Sequence, residues 1–246
     1  MNRLDLFKDK KILITGHTGF KGSWLTIWLK NLGGKILGIS LQPQTIPSNY
    51  YDCEISKNIK TVFINIQNKK KLEKILNSFK PDFVFHLAAQ SIVLKSFNEP
   101  INTWNTNLIG TMNLLESLKK LTKKCAVVLV TSDKCYKNVG SKKGYKETDR
   151  LGGDDPYSAS KASCEILINS YINSFFNKKR NKIRICSVRA GNVIGGGDWS
   201  KYRLLPDCIN SVFNKKIIKI RNPYSTRPWQ HVLEPLSGYI TLAIKL

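Results

Sequence analysis

The sequence predicts a doubly wound α/β fold, a parallel sheet with helices on both faces. Three observations predict it. Short apolar runs alternate with longer helical patterns through the first 190 residues, a glycine turn follows the first of those runs, and the 246 residues, 41% hydrophobic, suffice for a buried core.

Taken in order, strands are expected at 11–15 (KILIT), 36–40, 61–66, 83–87, 126–131 and 183–188, each a short apolar run. Helices are expected at 22–32, 69–79, 100–121 and 156–176, which have helical length and apolar spacing. Residues 41–58 carry Pro and Ser without clear periodicity and read as irregular or as a short helix. The pattern changes after Gly191: three consecutive glycines at 195–197, a short helix near 206–213, a strand near 217–220, then Pro223 and Pro228. Such loop-rich chain suits gripping a ligand better than extending a sheet. A final helix spans 234–246, with Leu236, Tyr239, Ile240, Ala243 and Ile244 on its buried face, and the chain stops there without a capping signal. The organisation expected is a dinucleotide-binding (Rossmann) domain over 1–190, then a partial, truncated substrate-binding lobe with a returning helix over 191–246.

Composition removes several classes. A disordered tail or small disulfide scaffold is excluded by the apolar content. Residues 1–11 mix charges among their apolar positions, unlike a secretory leader, and no run reaches the ~18 apolar residues of a membrane span, so a soluble cytoplasmic protein without membrane attachment is expected. The net charge is +23, but 32 of the 40 cations are Lys scattered along the chain. The densest clusters, 69–71 and 178–180, fall where solvated helix surface is expected, so no specific nucleic-acid partner is indicated. Such a field would still draw in an anionic small substrate. The six cysteines form no CxxC pair and the three histidines lack ligand spacing, so free thiols and no metal site are expected.

Gly16, Gly19 and Gly22 follow the first strand and open a helix, where glycines let the backbone turn sharply and approach a pyrophosphate. The bland alternative is a tight turn with no ligand. The acid that ordinarily binds an adenosine ribose about 20 residues on is missing, since no Asp or Glu occurs between Asp9 and Asp52. Ser40 and Gln42 must serve instead, which implies weak cofactor binding. No Arg stands nearby for a 2′-phosphate, leaving Lys21 or Lys35, so the residues do not choose between NAD and NADP. Tyr157 and Lys161 share one helix face just after Pro156. A nearby ammonium favours the phenolate, lowering a pKa ordinarily ~10 toward general-base duty. Ser132, Asp133 and Lys134 end the fifth strand, where open α/β sheets place ligands; together they can orient a sugar hydroxyl, donate a proton and remove one. Each has a plainer reading, a surface YxxxK and a charged turn.

The run TGHTGFKGSWL (15–25), HLAAQ (86–90), TSDKCY (131–136), DDPYSASK (154–161), RAGNVIGGGDW (189–199) and RPWQHVLEPLSGY (227–239) resembles the extended short-chain dehydrogenase/reductases of the NAD-dependent epimerase/dehydratase family, and within them the CDP-glucose 4,6-dehydratases. The resemblance covers essentially the whole chain. It implies NAD as cofactor, held by Gly16, His17, Gly19, Phe20, Gly22, Ser40, Asn65, Ile66, Ala88, Ala89, Gln90, Asn107, Tyr157 and Lys161. It implies a lyase that converts CDP-glucose to CDP-4-keto-6-deoxyglucose. In that reaction Tyr157 takes the 4-hydroxyl proton with Ser132 orienting it, Lys134 removes the C5 proton with Lys161 helping to keep it neutral, and Asp133 protonates the departing 6-hydroxyl. Asn107 corresponds to the asparagine that supports the active-site lysine, Asn192, Arg203 and Arg227 to contacts with substrate phosphates or nucleotide. The helices 100–121 and 156–176 would pack across a twofold axis in a homo-oligomer.

Two departures stand out: Asn65 occupies the place of an adenine-binding Asp, and the family's carboxy-terminal lobe extends beyond this chain, which would leave apolar surface exposed. A 4-epimerase or reductase on the same scaffold, and a non-catalytic dinucleotide-binding protein, are the competing readings.

Overall fold

The structure is a computed structural model that describes residues 3–141, 143–177 and 181–246. The basic cluster 178–180 lies outside the described residues. Six strands, β1 (Lys11–Thr15), β2 (Lys35–Ser40), β3 (Lys60–Phe63), β4 (Phe83–His86), β5 (Cys125–Val130) and β6 (Ile183–Val188), form one parallel sheet in the order β3-β2-β1-β4-β5-β6. The chain winds outward from β1 and then returns to β4. A crevice therefore opens at the carboxyl ends of β1 and β4, the place where such sheets bind ligands.

Alternation along each strand divides the core between the two faces. Leu13, Val84, Val127 and Leu129 pack under α4 (Lys69–Phe79), α7 (Gly110–Lys119) and α8 (Pro156–Tyr171) through Leu72, Leu76, Leu114, Leu118 and Ile168. Ile12, Ile14, Phe85 and Val128 face the other way, against α1 (Phe20–Asn31) and α10 (Leu233–Lys245) through Leu25, Leu29, Leu236 and Ile240. The last helix thus closes the sheet's second face, with Tyr239 and Ala243 also buried as expected.

The segment 41–58 holds two one-turn helices, α2 (Asn49–Asp52) and α3 (Ile55–Asn58). The helix expected at 100–121 is interrupted: α6 (Pro100–Trp104) leads into a π turn at Asn105–Ile109 before α7, and α5 (Val93–Asn98) precedes it. A similar π turn, Ile172–Phe176, ends α8. The strand expected at 217–220 does not form. No ladder pairs it among the described residues, and Ile217 is 86% exposed; alternation without a partner strand does not make a sheet. Instead β7 (Asn192–Ile194) and β8 (Trp229–His231) pair in parallel, with α9 (Leu204–Phe213) between them in the chain. Phe213, Ile217 and Tyr224 are exposed in this segment.

Candidate active site

Helix α8 begins where its sequence says it must. Asp155 caps it by accepting from Ser158 N at 2.9 Å, and Pro156 occupies the first turn, where its missing N–H costs nothing. Tyr157 and Lys161 follow on one face, both buried. Across from them β5 ends in Thr131, and Asp133–Cys135 forms a 3₁₀ turn. Ser132 caps that turn by accepting from Lys134 N at 3.2 Å while donating to Asp133 Oδ1 at 3.0 Å. The strand-tip turn packs against α8, and Ser132 and the Asp133 carboxylate both act on the Tyr157 phenol, Ser132 lowering its pKa and Asp133 raising it.

The electrostatics differ from the sequence-based expectation. Burial raises the Tyr157 pKa, and hydrogen bonding to Ser132 and the Arg203 charge only partly oppose it. Lys161 is not among the groups that lower it; burial lowers the pKa of Lys161 itself, whose Nζ donates to Val130 O at 3.4 Å. Lys134 is lowered by burial first and by Arg227 second, so the cation that helps neutralise it is Arg227 rather than Lys161.

Motif reading missed one group. Lys21 was a candidate for a ribose 2′-phosphate, yet it lies among Lys161, Arg203, Asp133 and Asp198, and burial pushes its pKa down to about 8. Lys35 is paired with Asp9 at 3.0 Å at the far end of β2. Neither lysine stands at the ribose end of the crevice. The signal for Lys21 was its place in the first turn of α1, directly after Phe20.

The glycine turn fits a dinucleotide. Gly16 has φ +77° and a Cβ there would sit 2.7 Å from Ala88 N; one on Gly22 would sit 2.0 Å from Gly16 O. Gly19 starts α1 without a side-chain cap, leaving backbone N–H groups at the helix start for a pyrophosphate. Ser40 closes the β2 end, 2.7 Å from Thr18 Oγ1.

Other expected cofactor residues are occupied internally. The His17 ring packs over Gly38 with Nε2 3.1 Å from Thr61 Oγ1, and burial pushes its pKa down to about 4. Phe20 packs toward Gly195. Asn65 Oδ1 accepts from Gln67 N at 2.9 Å, and the Ile66 side chain is in the core against Gly110. Ala88 N donates to the Thr15 hydroxyl at 3.2 Å, and neighbouring Ala89 is half-buried. The Gln90 amide, expected to line the crevice, donates to Ile92 O and Thr103 Oγ1 instead. Asn107, in the π turn, donates to Gln90 O and to Ser160 Oγ at 2.9 Å. It reaches the neighbour of Lys161, not Lys161, so any support it gives is indirect.

Of the expected phosphate contacts, Arg203 spans Asp198 at 2.7 Å and Ser91 Oγ at 3.0 Å beside the site. Arg227 is exposed, with Nη1 donating to Thr226 O at 2.7 Å. Asn192 is tied by its backbone N–H to Pro228 O at 3.0 Å. Among the described residues no cluster of His, Cys, Asp and Glu could hold a metal ion, and no helix is long and apolar enough to cross a membrane.

A model of the GDP-mannose 4,6-dehydratase family matches residues 13–243. The chain is 46% identical over 98% of its length to a CDP-glucose 4,6-dehydratase of Salmonella typhimurium, spanning 68% of that protein. It is 32% identical to a dTDP-D-glucose 4,6-dehydratase of Dictyostelium discoideum, covering 97% of this chain and 56% of that one. Among solved structures, the dTDP-glucose 4,6-dehydratase of Bacillus anthracis in complex with NAD superposes with a TM-score of 0.78 at 25% identity, over 93% of this chain and 70% of the other. With a glycine turn at the sheet's switch point, a Tyr–Lys helix face and an Asp–Lys strand tip all present, the chain belongs to the GDP-mannose 4,6-dehydratase family of extended short-chain dehydrogenase/reductases.

Proposed function

We propose that the chain is a nucleotide-sugar lyase that converts CDP-glucose to CDP-4-keto-6-deoxyglucose with NAD. The observation that carries this is the packing of the Asp133–Cys135 turn, which holds Asp133 and Lys134, against α8, with the Asp133 carboxylate acting on Tyr157. Oxidation at C4 needs only the tyrosine and its helix partner. Elimination needs a further acid and base, which this strand tip supplies. The 46% identity to a CDP-glucose 4,6-dehydratase supports the cytidine nucleotide. Lys21 and Lys35, the two lysines considered for a 2′-phosphate, are committed elsewhere, which favours NAD over its phosphorylated form.

The glycine turn of Gly16, Gly19 and Gly22 would hold NAD, which would supply a reversible hydride store, so that the reaction would involve no net oxidation. Tyr157, oriented by Ser132, removes the 4-hydroxyl proton. The resulting ketone acidifies C5–H. Lys134 is held toward its neutral form by burial and by Arg227, and takes that proton. Asp133 gives a proton to the 6-hydroxyl, which leaves as water. Arg203 and Arg227 offer planar guanidinium groups to the substrate diphosphate.

We further propose a cytoplasmic homo-oligomer. Phe97, Ile101 and Ile166, 58%, 75% and 61% exposed on α5, α6 and α8, support it as apolar side chains left uncovered on the helices expected to associate.

Incubation with CDP-, dTDP-, UDP- and GDP-glucose, followed by mass spectrometry, tests the activity. Loss of one water from CDP-glucose, without net change in NADH, is expected; a product of unchanged mass would make the chain an epimerase.

A further inference from the structure

The turn that carries Asp133 and Lys134 is gripped at both ends by one buried ion pair. Glu165, 5% exposed, lies on α8 four residues after Lys161 and eight after Tyr157, on the same helix face. Its Oε1 accepts from the Thr131 hydroxyl, and Thr131 immediately precedes Ser132. Its Oε2 accepts from Ser187 Oγ at 3.0 Å and from Arg189 Nη2 at 2.8 Å. The Arg189 guanidinium lies over the Tyr136 ring, 4.8 Å from its centroid, and Tyr136 immediately follows the turn. A second N–H of Arg189 donates to Glu147 O at 3.2 Å.

We propose that Glu165 and Arg189 are positioning residues that fix the Asp133–Lys134 turn relative to Tyr157 and Lys161, so that the elimination groups address the same sugar as the oxidation groups. This rests on the dehydratase reading above. One carboxylate on the catalytic helix reaches the tips of both β5 and β6, and its partner stacks on the far side of the turn. Burial raises the Glu165 pKa, but the bonds from Arg189, Thr131 and Ser187 together hold it below the usual carboxylate range, so the pair stays charged. A buried charge whose bonds are all made orients its partners more sharply than an apolar contact would. The tyrosine and lysine are placed by α8 itself, so loss of the clamp should spare oxidation and spoil elimination.

Glu165→Gln keeps the shape and removes the charge; Tyr136→Leu leaves the ion pair and removes the stacked ring, and stands in if the first variant does not fold. For both, the KM for CDP-glucose should stay within about threefold. Release of 4-keto-6-deoxy product should fall at least about thirtyfold, while reduced nicotinamide accumulates because C4 oxidation continues. Equal slowing of oxidation and elimination, or unchanged product release, overturns the proposal. Amide hydrogen exchange decides the matter even if the wild-type chain dehydrates no nucleotide-glucose. Exchange at 132–136 should quicken at least about tenfold in both variants while β1 and α1 keep their protection, and unchanged protection at 132–136 sinks the clamp whatever the fate of the dehydratase reading.

Discussion

Burial is the largest influence on the protonation of Tyr157, Lys134 and Lys161, and it acts on the phenol and the amines in opposite senses. It pushes Tyr157 up, keeping the phenol protonated in the resting protein, and pulls Lys134 and Lys161 down toward the free amine. Both expected bases, phenolate and amine, therefore gain population as pH rises, and the rate of water loss, measured by mass spectrometry, should climb as pH is raised above neutral. Replacing Lys134 by Met should cut product release by ~10²-fold or more while leaving oxidation at C4 intact, seen as reduced nicotinamide accumulating on the protein. Full turnover by that variant would remove Lys134 from the chemistry. Lys21 has the plainest cost. Its pKa of about 8 lies below the ordinary 10.5, so the folded state holds its charge less readily than the unfolded chain does. The unfolded chain binds more protons between those two values, so stability rises with pH across that window. Lys21→Met should therefore melt at least about 2 °C higher at pH 7, with the gain fading as pH rises beyond about 8. A lower melting point would show that the charge is compensated.

At the scale of elements, the same glycine residue type serves opposite ends. A Cβ at Gly22 would lie 2.0 Å from Gly16 O, so Gly22→Ala must push α1 away from the turn. It should cost about 1–3 kcal/mol and abolish dinucleotide binding measured by calorimetry. Gly238, exposed within α10, has nothing within 4 Å of its would-be Cβ. Gly238→Ala should stabilise by about 0.5–1 kcal/mol in urea unfolding, because only helix propensity changes. Equal effects at the two sites would contradict both assignments. The contrast also shows what the sequence could carry. Strand runs, the first helix and the glycine turn were legible because local pattern alone decides them, and so was the Asp–Pro start of α8. The six-residue α5 was not, since it holds less than two turns of periodicity. The π turn around Asn107 was invisible because an extra residue per turn leaves composition unchanged, yet it is what aims that amide at Ser160. The direction of Lys21 depends on groups over a hundred residues away, and the false strand at 217–220 on a partner that local sequence cannot supply.

The whole molecule inherits an acid liability from the same interior. His86 is buried beneath the crevice, with Nδ1 2.7 Å from Thr15 Oγ1 and Nε2 3.1 Å from Thr111 Oγ1, and burial, aided by the Lys161 charge, pushes its pKa down to about 3. His17, in the glycine turn, is pushed down to about 4 by burial. In the unfolded chain both protonate near the ordinary 6.5. Below that pH the unfolded state binds more protons than the folded one, so stability falls as pH drops from about 6.5, through about 4 for His17 and on to about 3 for His86. Carboxylates whose folded pKa values are depressed, such as Glu116 and Glu165, add their own loss only as pH falls through the ordinary 4.5 and below. The interval from 6.5 to about 5 therefore reports chiefly the two histidines. The urea midpoint should fall steadily from pH 7 to pH 5. His86→Gln should start lower at pH 7, having lost one of two hydroxyl partners, but descend with a shallower slope. A wild-type midpoint that stays flat across that interval would mean that the histidines titrate alike in both states and that the interior beneath the crevice is open to water.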